Sequence, residues 1–405
     1  MSSTPSSRPV ESHTPPARRR WVPRVIAVVL SLCALRAVDA VLGLLVPVAS
    51  VGRGLVFDAN SAAEGGTNEF TSSIHINSLG FRDREFSIPR SNVQRVVALG
   101  DSMTWGWGVE QEAAWPKVLE RTLVAGGTAV EVANLGKPGA SPADYADIAE
   151  RSLPILKPDL TVIGVLQLDD IKQMEYPRVT TLGMRLGRLK HYTLPNMIGL
   201  AQRVVRTAFA KRTTAPWLEE WKPEAQGLES GWTGDDARRF AALDPVIKGL
   251  FRRGALNPTV IETEVQDPTY YSDLQDTNCD RVRRLVDMVS SNLARIEKVA
   301  RETGGRLLVV SVPQGVYADP RALAARRRMG FTVDDSMLTT DAPDMEIQAA
   351  CKGAGIPFLS VTDSFRRDIG PDPLYFELDG HFTHAGHERF ARLLAAKVAP
   401  LLQHP

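Results

Sequence analysis

Val93-Gln94-Arg95-Val96-Val97-Ala98-Leu99-Gly100-Asp101-Ser102-Met103-Thr104 joins a short, nearly continuous apolar run to a small polar turn. Such a run, Val93–Leu99, suits a strand buried on both faces, as strands of parallel sheets are. A serine directly after that strand stands at the carboxyl edge of the sheet, where open α/β folds bind ligands. Gly100 lets the chain turn sharply there. The next residues can start a helix whose N–H groups face the same edge. Taken alone, a strand-end serine is more often a helix cap or turn residue.

Downstream of this turn, strand-like and helix-like segments alternate. Val130–Asn134, Leu160–Leu166, Arg306–Val312 and Ile356–Val361 read as further buried strands. Glu112–Val124, Pro142–Leu153, Cys279–Glu302, Asp344–Gly353 and Gly386–Val398 read as helices. The alternation predicts an α/β fold, a central parallel sheet covered by helices on both faces in three layers, spanning residues 91–402. Residues 175–275 break the rhythm. They contain Arg, Trp and Pro without clear strands and are expected to form a partly helical insertion, a lid or substrate wall. Residues 52–90 read as an extension packing on this domain. In it Phe70–Ile76 alternates loosely like an edge strand, and Asn77-Ser78-Leu79-Gly80 reads as a turn.

Composition bounds the rest. Apolar residues make up 43% of the 405 positions and charged residues 23%, which excludes a globally disordered chain. Lys plus Arg number 48 against 47 Asp plus Glu, so no basic surface for nucleic acid covers the protein. Three cysteines, Cys33, Cys279 and Cys351, exclude a disulfide scaffold and Cys-rich zinc modules, although Cys279 and Cys351 could pair. Residues 1–23 read as a disordered tail whose arginines (Arg8, Arg18, Arg19, Arg20), with Arg24, face one acid, Glu11. That asymmetry keeps the tail cytoplasmic and sends the downstream chain outward. Residues 24–48 then read as a transmembrane signal anchor, with Arg36 and Asp39 paired at i and i+3. Two other readings are a cleaved signal peptide ending near Val38-Asp39-Ala40, which gives a secreted protein, and a buried helix of a soluble protein.

Near the far end lies Leu378-Asp379-Gly380-His381-Phe382-Thr383-His384-Ala385-Gly386-His387. A short loop carrying Asp and His supplies what a serine needs: an imidazole to take its proton and a carboxylate to fix the tautomer. Gly380 permits an unusual backbone angle between them. His381, His384 and His387 also repeat every three residues, a spacing that admits a metal cluster, but Gly386 and the loop make a common ligand face improbable, and no metal or cofactor is expected.

These blocks, in this order, resemble the SGNH/GDSL hydrolase superfamily over about residues 93–399. Gly100-Asp101-Ser102-Met103-Thr104 is similar to its first block and Asn134-Leu135-Gly136-Lys137-Pro138-Gly139 to its second. Gln167-Leu168-Asp169-Asp170 resembles the third and Asp379-Gly380-His381 the last. The stretches Asn77–Arg82 and Gly106–Val109 are similar to an envelope-associated branch with an amino-terminal anchor. The resemblance implies the flavodoxin-like SGNH fold, with Ser102 as nucleophile, His381 as general base and Asp379 as its partner. It implies an oxyanion hole from the N–H groups of Ser102 and Gly139 and the side chain at position 169. That position is ordinarily Asn, whose amide donates. Asp169 can donate only when protonated, and Gln167 is a candidate for the missing donor. The last block also departs from the commoner Asp-x-x-His spacing.

The expected activity is hydrolysis of O-acyl, particularly O-acetyl, esters through an acyl-serine intermediate, on a small or polymeric substrate such as envelope carbohydrate or lipid. The alternatives are an O-acyltransferase acting on an extracellular polysaccharide and a non-catalytic envelope-polymer binding protein of the same fold. Trp105, Trp107 and Trp115, with Trp217, Trp221 and Trp232 in the insertion, read as packing or as a platform for sugar rings. Arg326-Arg327-Arg328 and Arg252-Arg253 read as solvated surface. The reading predicts Ser102 Oγ within hydrogen-bond reach of a His381 ring nitrogen. The interatomic distance checks it, and an imidazole on the opposite side of the sheet would end it.

Overall fold

The computed structural model describes residues 21–46, 54–88, 92–176, 193–209, 217–367 and 369–403, with 206–209 and 217–220 by backbone alone. Expectations about residues 1–20 and the side chain of Trp217 lie outside these residues. The chain divides into two compact units, one joining residues up to 52 with 180–204, the other holding 53–179 and 205–405.

In the larger unit five strands pair in parallel in the order β4-β3-β5-β6-β7. They are β3 (Gln94–Gly100), β4 (Val130–Asn134), β5 (Leu160–Leu166), β6 (Arg306–Val312) and β7 (Phe358–Leu359). β5 is buried at every residue and β3 at every residue after Gln94, as unbroken apolar runs require. The last strand is shorter than Ile356–Val361. Pro357 has no N–H to give and contributes only its carbonyl, which accepts from Val309 N at 3.0 Å.

Because side chains alternate along a strand, each strand feeds two cores. Val96, Ala98, Val130, Val132, Leu160, Val162, Leu308 and Val310 join the core beneath the helices Trp115–Ala125 and His384–Gln403. The residues between them face the helices Pro142–Leu156 and Asp280–Glu302, the latter also packed on Ala342–Ala354. The result is three layers around the sheet. From β3 the chain crosses outward to β4, then returns past β3 to β5. This reversal is the topological switch point of the sheet, and Ser102 follows directly from it.

The extension forms its own two-stranded antiparallel sheet, β1 (Ala62–Gly66) with β2 (Thr71–His75), rather than an edge of the main sheet. Two buried ionic residues just beyond it fasten the extension to the core. Arg82 donates to the carbonyls of Gly106 (2.7 Å), Val109 (2.8 Å) and Ser73 (3.0 Å). Asp83 pairs with Lys117 Nζ at 2.9 Å and accepts from Asn134 N at 2.9 Å. Burial pushes the Asp83 carboxyl up to about 6 even with that ammonium beside it.

The region read as an insertion contains the helices Pro195–Phe209, Trp217–Gly231, Gly234–Ala242, Pro245–Arg252 and Pro258–Gln266, and no strand among its described residues. In the smaller unit α1 (Val22–Leu45) is long and apolar enough to span a membrane or act as a signal sequence. Its Arg36 pairs with Asp39 at 3.3 Å. Asp39 is buried and also accepts from Met197 N (2.8 Å) and Asn196 Nδ2 (3.1 Å), so it caps the positive end of another helix. The cysteines are free: Cys351 is buried and Cys279 exposed, which corrects the idea that they pair.

Trp115 has no exposed surface, and its ring meets Phe390 edge-on at 5.3 Å. Removing a buried indole leaves a cavity that neighbours fill only partly. Trp115→Ala is therefore expected to cost about 3–5 kcal/mol, read as a lowered denaturant midpoint with unchanged slope.

Candidate active site

Gly100 ends β3 in a place with no room for a side chain. A Cβ there would collide with Thr104 Oγ1 and crowd the carbonyl of Gly164 on β5. The chain can therefore turn tightly into the short helix α2 (Ser102–Trp105), whose cap, Asp101, accepts from Met103 N at 2.9 Å. Ser102 is the first residue of that helix, where N–H groups lack intrahelical acceptors.

Asp379, Gly380 and His381 lie in the loop before the last helix. Gly380 has φ +88°, the left-handed conformation expected of it. His381 Nε2 lies 2.7 Å from Ser102 Oγ, and His381 Nδ1 lies 2.5 Å from Asp379 Oδ1. A carboxylate only accepts, so Nδ1 carries the proton and, in the neutral ring, Nε2 accepts from the serine hydroxyl. The Asp379 side chain is fully buried and the imidazole 19% exposed, so the pair opens on the serine side. Trp107 Nε1 donates to the second oxygen of Asp379 at 3.3 Å, and the Trp107 ring leans on the imidazole at 5.6 Å. An imidazole so placed can accept the hydroxyl proton as oxygen attacks a carbonyl carbon.

The remaining predicted positions divide. Gly139 takes φ +67° in the loop after β4, and Asn134 shapes the start of that loop by accepting from Gly136 N at 3.0 Å. Gln167 is excluded as an oxyanion donor. Both of its amide protons are given away, to Asp344 and Thr362 at 2.8 Å each, and its carbonyl accepts from Gln314 N at 3.0 Å. Asp169 is likewise corrected. Tyr270 OH donates to one of its oxygens and Gln314 Nε2 to the other at 2.8 Å, so it acts as an acceptor and not a donor. Leu168, just before it, sits at φ +68°, ψ −62° with Asp169 N bonded back to Gln167 O at 2.8 Å. This tight γ-turn is strained for a branched side chain, at a cost on the order of 1–3 kcal/mol.

Tyr270 and Gln314 were not identified from the sequence. Tyr270 lies 101 residues from its carboxylate, and no local pattern announces it. It is held by Lys172, whose ammonium lies 3.9 Å from its ring and pairs with Asp267 (2.6 Å) and Asp273 (2.8 Å). Asp170 accepts Tyr145 OH at both oxygens and Leu166 N, and so braces the end of β5. Arg326, read as surface, is buried and bonds to the loop of Asp379 and His381. Arg327 and Arg328 do pair with acids at the surface. Trp105, Trp115 and Trp232 are packed away, whereas Trp107, beside His381, and Trp221, stacked on Trp107 at 6.2 Å, stand half-buried. His387 points away from Ser102. It accepts from Trp115 N at 3.2 Å, and burial holds it down to about 3, hence neutral.

No family model and no curated protein sequence matches this chain. Among solved structures it is similar to a lipase/acylhydrolase from Enterococcus faecalis, at 14% identity and TM-score 0.36, over 76% of this chain and 97% of that one. It is similar to a GDSL-like lipase from Bacteroides thetaiotaomicron, at 13% identity and TM-score 0.34, over 78% and 93%. It is also similar to an acetyl-xylooligosaccharide esterase variant from Geobacillus, at 11% identity and TM-score 0.36, over 75% and 94%.

Burial alone would lower the imidazole's affinity for a proton, but Asp379, and behind it Asp101 and Asp169, outweigh burial and raise it. The neutral ring is the form that can take a proton. Reactivity of Ser102 toward a fluorophosphonate should therefore be low in acid and rise through a midpoint above the ordinary histidine value of about 6.5. Asp169→Asn removes one of those carboxylates and should move that midpoint to lower pH, as read from labelling rate against pH.

Proposed function

We propose that this chain is a serine esterase of the SGNH/GDSL superfamily that cleaves O-acyl esters, O-acetyl groups foremost. The observation that carries the proposal is the unbroken chain of contacts from Asp379 through His381 to Ser102. The four sequence blocks, in family order, support it independently.

In this reading the ester carbonyl lies over Ser102. The serine oxygen bonds to the carbonyl carbon while its proton passes to His381 Nε2, and Asp379 steadies the resulting imidazolium. The carbonyl oxygen becomes an oxyanion, facing the N–H groups of Ser102 and Gly139. One such donor is typically worth about 3 kcal/mol in the transition state. With Asp169 and Gln167 occupied as described, these two backbone groups carry the oxyanion. The intermediate collapses as His381 returns its proton to the leaving alcohol. A water molecule then attacks the acyl carbon as its proton passes to His381, and His381 returns that proton to Ser102 Oγ as the acid leaves.

The half-buried Trp107 beside the imidazole, with Trp221 stacked on it, suits a sugar ring carrying the ester, since an aromatic face packs well on sugar C–H groups. The helix α1 suits a single-pass anchor holding the active site outside the cytoplasm, close to envelope carbohydrate.

The test is serine-directed. Wild-type protein should be labelled by a fluorophosphonate and release acetate from acetylated oligosaccharide. Ser102→Ala should lose both while keeping its thermal midpoint. Well-folded wild-type protein that takes no label would turn the assignment toward a binding protein. Acetyl-enzyme that passes its group to an oligosaccharide hydroxyl in preference to water would make it a transferase.

A further inference from the structure

The turn that carries Asp379 is gripped from two sides by charged groups that belong to other elements, the half-buried Glu69 and the buried Arg326. Glu69 lies between β1 and β2, in the extension. It accepts from Leu378 N at both carboxylate oxygens (3.1 Å each) and from Asp379 N at 2.8 Å. Arg326, in the helix Pro320–Arg328, donates to the carbonyls of the same two residues, Leu378 at 2.6 Å and Asp379 at 3.0 Å. The N–H groups of two successive peptides thus meet an anion, and their carbonyls meet a cation. Hydrogen bonds to charged groups are about twice as strong as neutral ones.

The grip is itself well founded. Glu69 N donates to Thr67 Oγ1 at 2.9 Å, and Asn68 N to Ala255 O at 3.0 Å, which fixes the hairpin turn. Phe70, the next residue, packs on Phe376 at 4.8 Å and on Trp107 at 6.5 Å. Trp107 in turn holds Asp379. On the other side Arg326 fills the space where a Cβ on Gly380 would stand, so the glycine is required for contact as well as for its backbone angle. A reactive pair must hold its geometry to about 0.5 Å, and a bare surface loop does not.

We propose that Glu69 and Arg326 are positioning residues that brace the Asp379–His381 turn from opposite sides, so that a hairpin outside the α/β core sets the reactivity of Ser102. The inference rests on the reading of Ser102 as the nucleophile.

The experiment uses the full chain in detergent and three readouts. They are the rate of fluorophosphonate labelling, kcat and KM for p-nitrophenyl acetate, and the low-field proton resonance of His381 Nδ1–H. Glu69→Ala should lower labelling rate and kcat at least about tenfold, leave KM within about twofold, and weaken or remove the resonance, since small misplacements of reacting groups cost rate and not affinity. Glu69→Gln, which keeps an acceptor oxygen, should fall between the two. Labelling of Glu69→Ala within about twofold of wild type, below the loss that misplacement brings, would overturn the proposal. So would a slowing no larger than its unfolded fraction explains. If Glu69→Ala does not fold, the isosteric Glu69→Gln is held to the same criteria. A wild-type protein that takes no label defeats the esterase reading instead, and the resonance in wild type against Glu69→Ala still decides the brace.

Discussion

The 2.7 Å contact between Ser102 and His381 closes a loop of 279 residues, and the arrangement of the larger unit keeps those two atoms together. The serine is fixed because β3 must end where Gly100 packs against Thr104, leaving one tight turn into α2. Arg82 holds the next stretch by the carbonyls of Gly106 and Val109. The imidazole is fixed by Asp379, Trp107 and the peptide bonds around them. The two halves are then joined directly: Trp115 N donates to His387, which lies in the first turn of the last helix, six residues after His381. A core contact between the helices Trp115–Ala125 and His384–Gln403 therefore sets the distance across which the proposed proton transfer occurs.

Charge around this contact is unevenly compensated. Asp101, Asp170 and Asp379 are buried near it and Asp169 is half-buried, and loss of solvent pushes the first two and Asp169 up, Asp101 to about 6. Asp379 alone falls below its ordinary value, because the imidazole against it outweighs burial. Groups driven apart in this way accompany functional sites, but structural ion pairs produce similar shifts. Asp83, paired to Lys117 away from Ser102, is also pushed to about 6. The assignment of roles therefore stands on distances and hydrogen-bond partners, and the protonation preferences derive from them.

Two regions outside the sheet reach the site. The extension contributes Glu69 and Phe70. The helical region after residue 216 is organised around Trp232, Phe240 and Phe251, whose rings lie 4.9–5.6 Å apart, and it presents Trp221 against Trp107. Tyr270, just after those helices, closes on Asp169. The Gln167–Asp170 block thus carries a carboxylate satisfied by a tyrosine and a glutamine. The compensation comes from parts of the chain that no block contains.

The strands and the two loops that meet at Ser102 and His381 are written in local sequence. Short apolar runs bounded by turn residues suit buried strands of a parallel sheet, and β4, β5 and β6 begin and end at the expected residues, where polar or turn residues stop the run. Ser102, Asp379 and His381 could be picked out from local signals, the serine two residues after the glycine that ends a strand and the other two flanking Gly380 just before the last helix. Tertiary structure decided everything that depends on partners distant in the chain. It turned Asp169 into an acceptor, spent Gln167 on Asp344 and Thr362, buried Arg326, and took the Phe70–Ile76 segment away from the main sheet. A side chain's hydrogen-bonding role is set by which donors and acceptors folding brings within about 3 Å, and no periodicity or spacing along one segment contains that information.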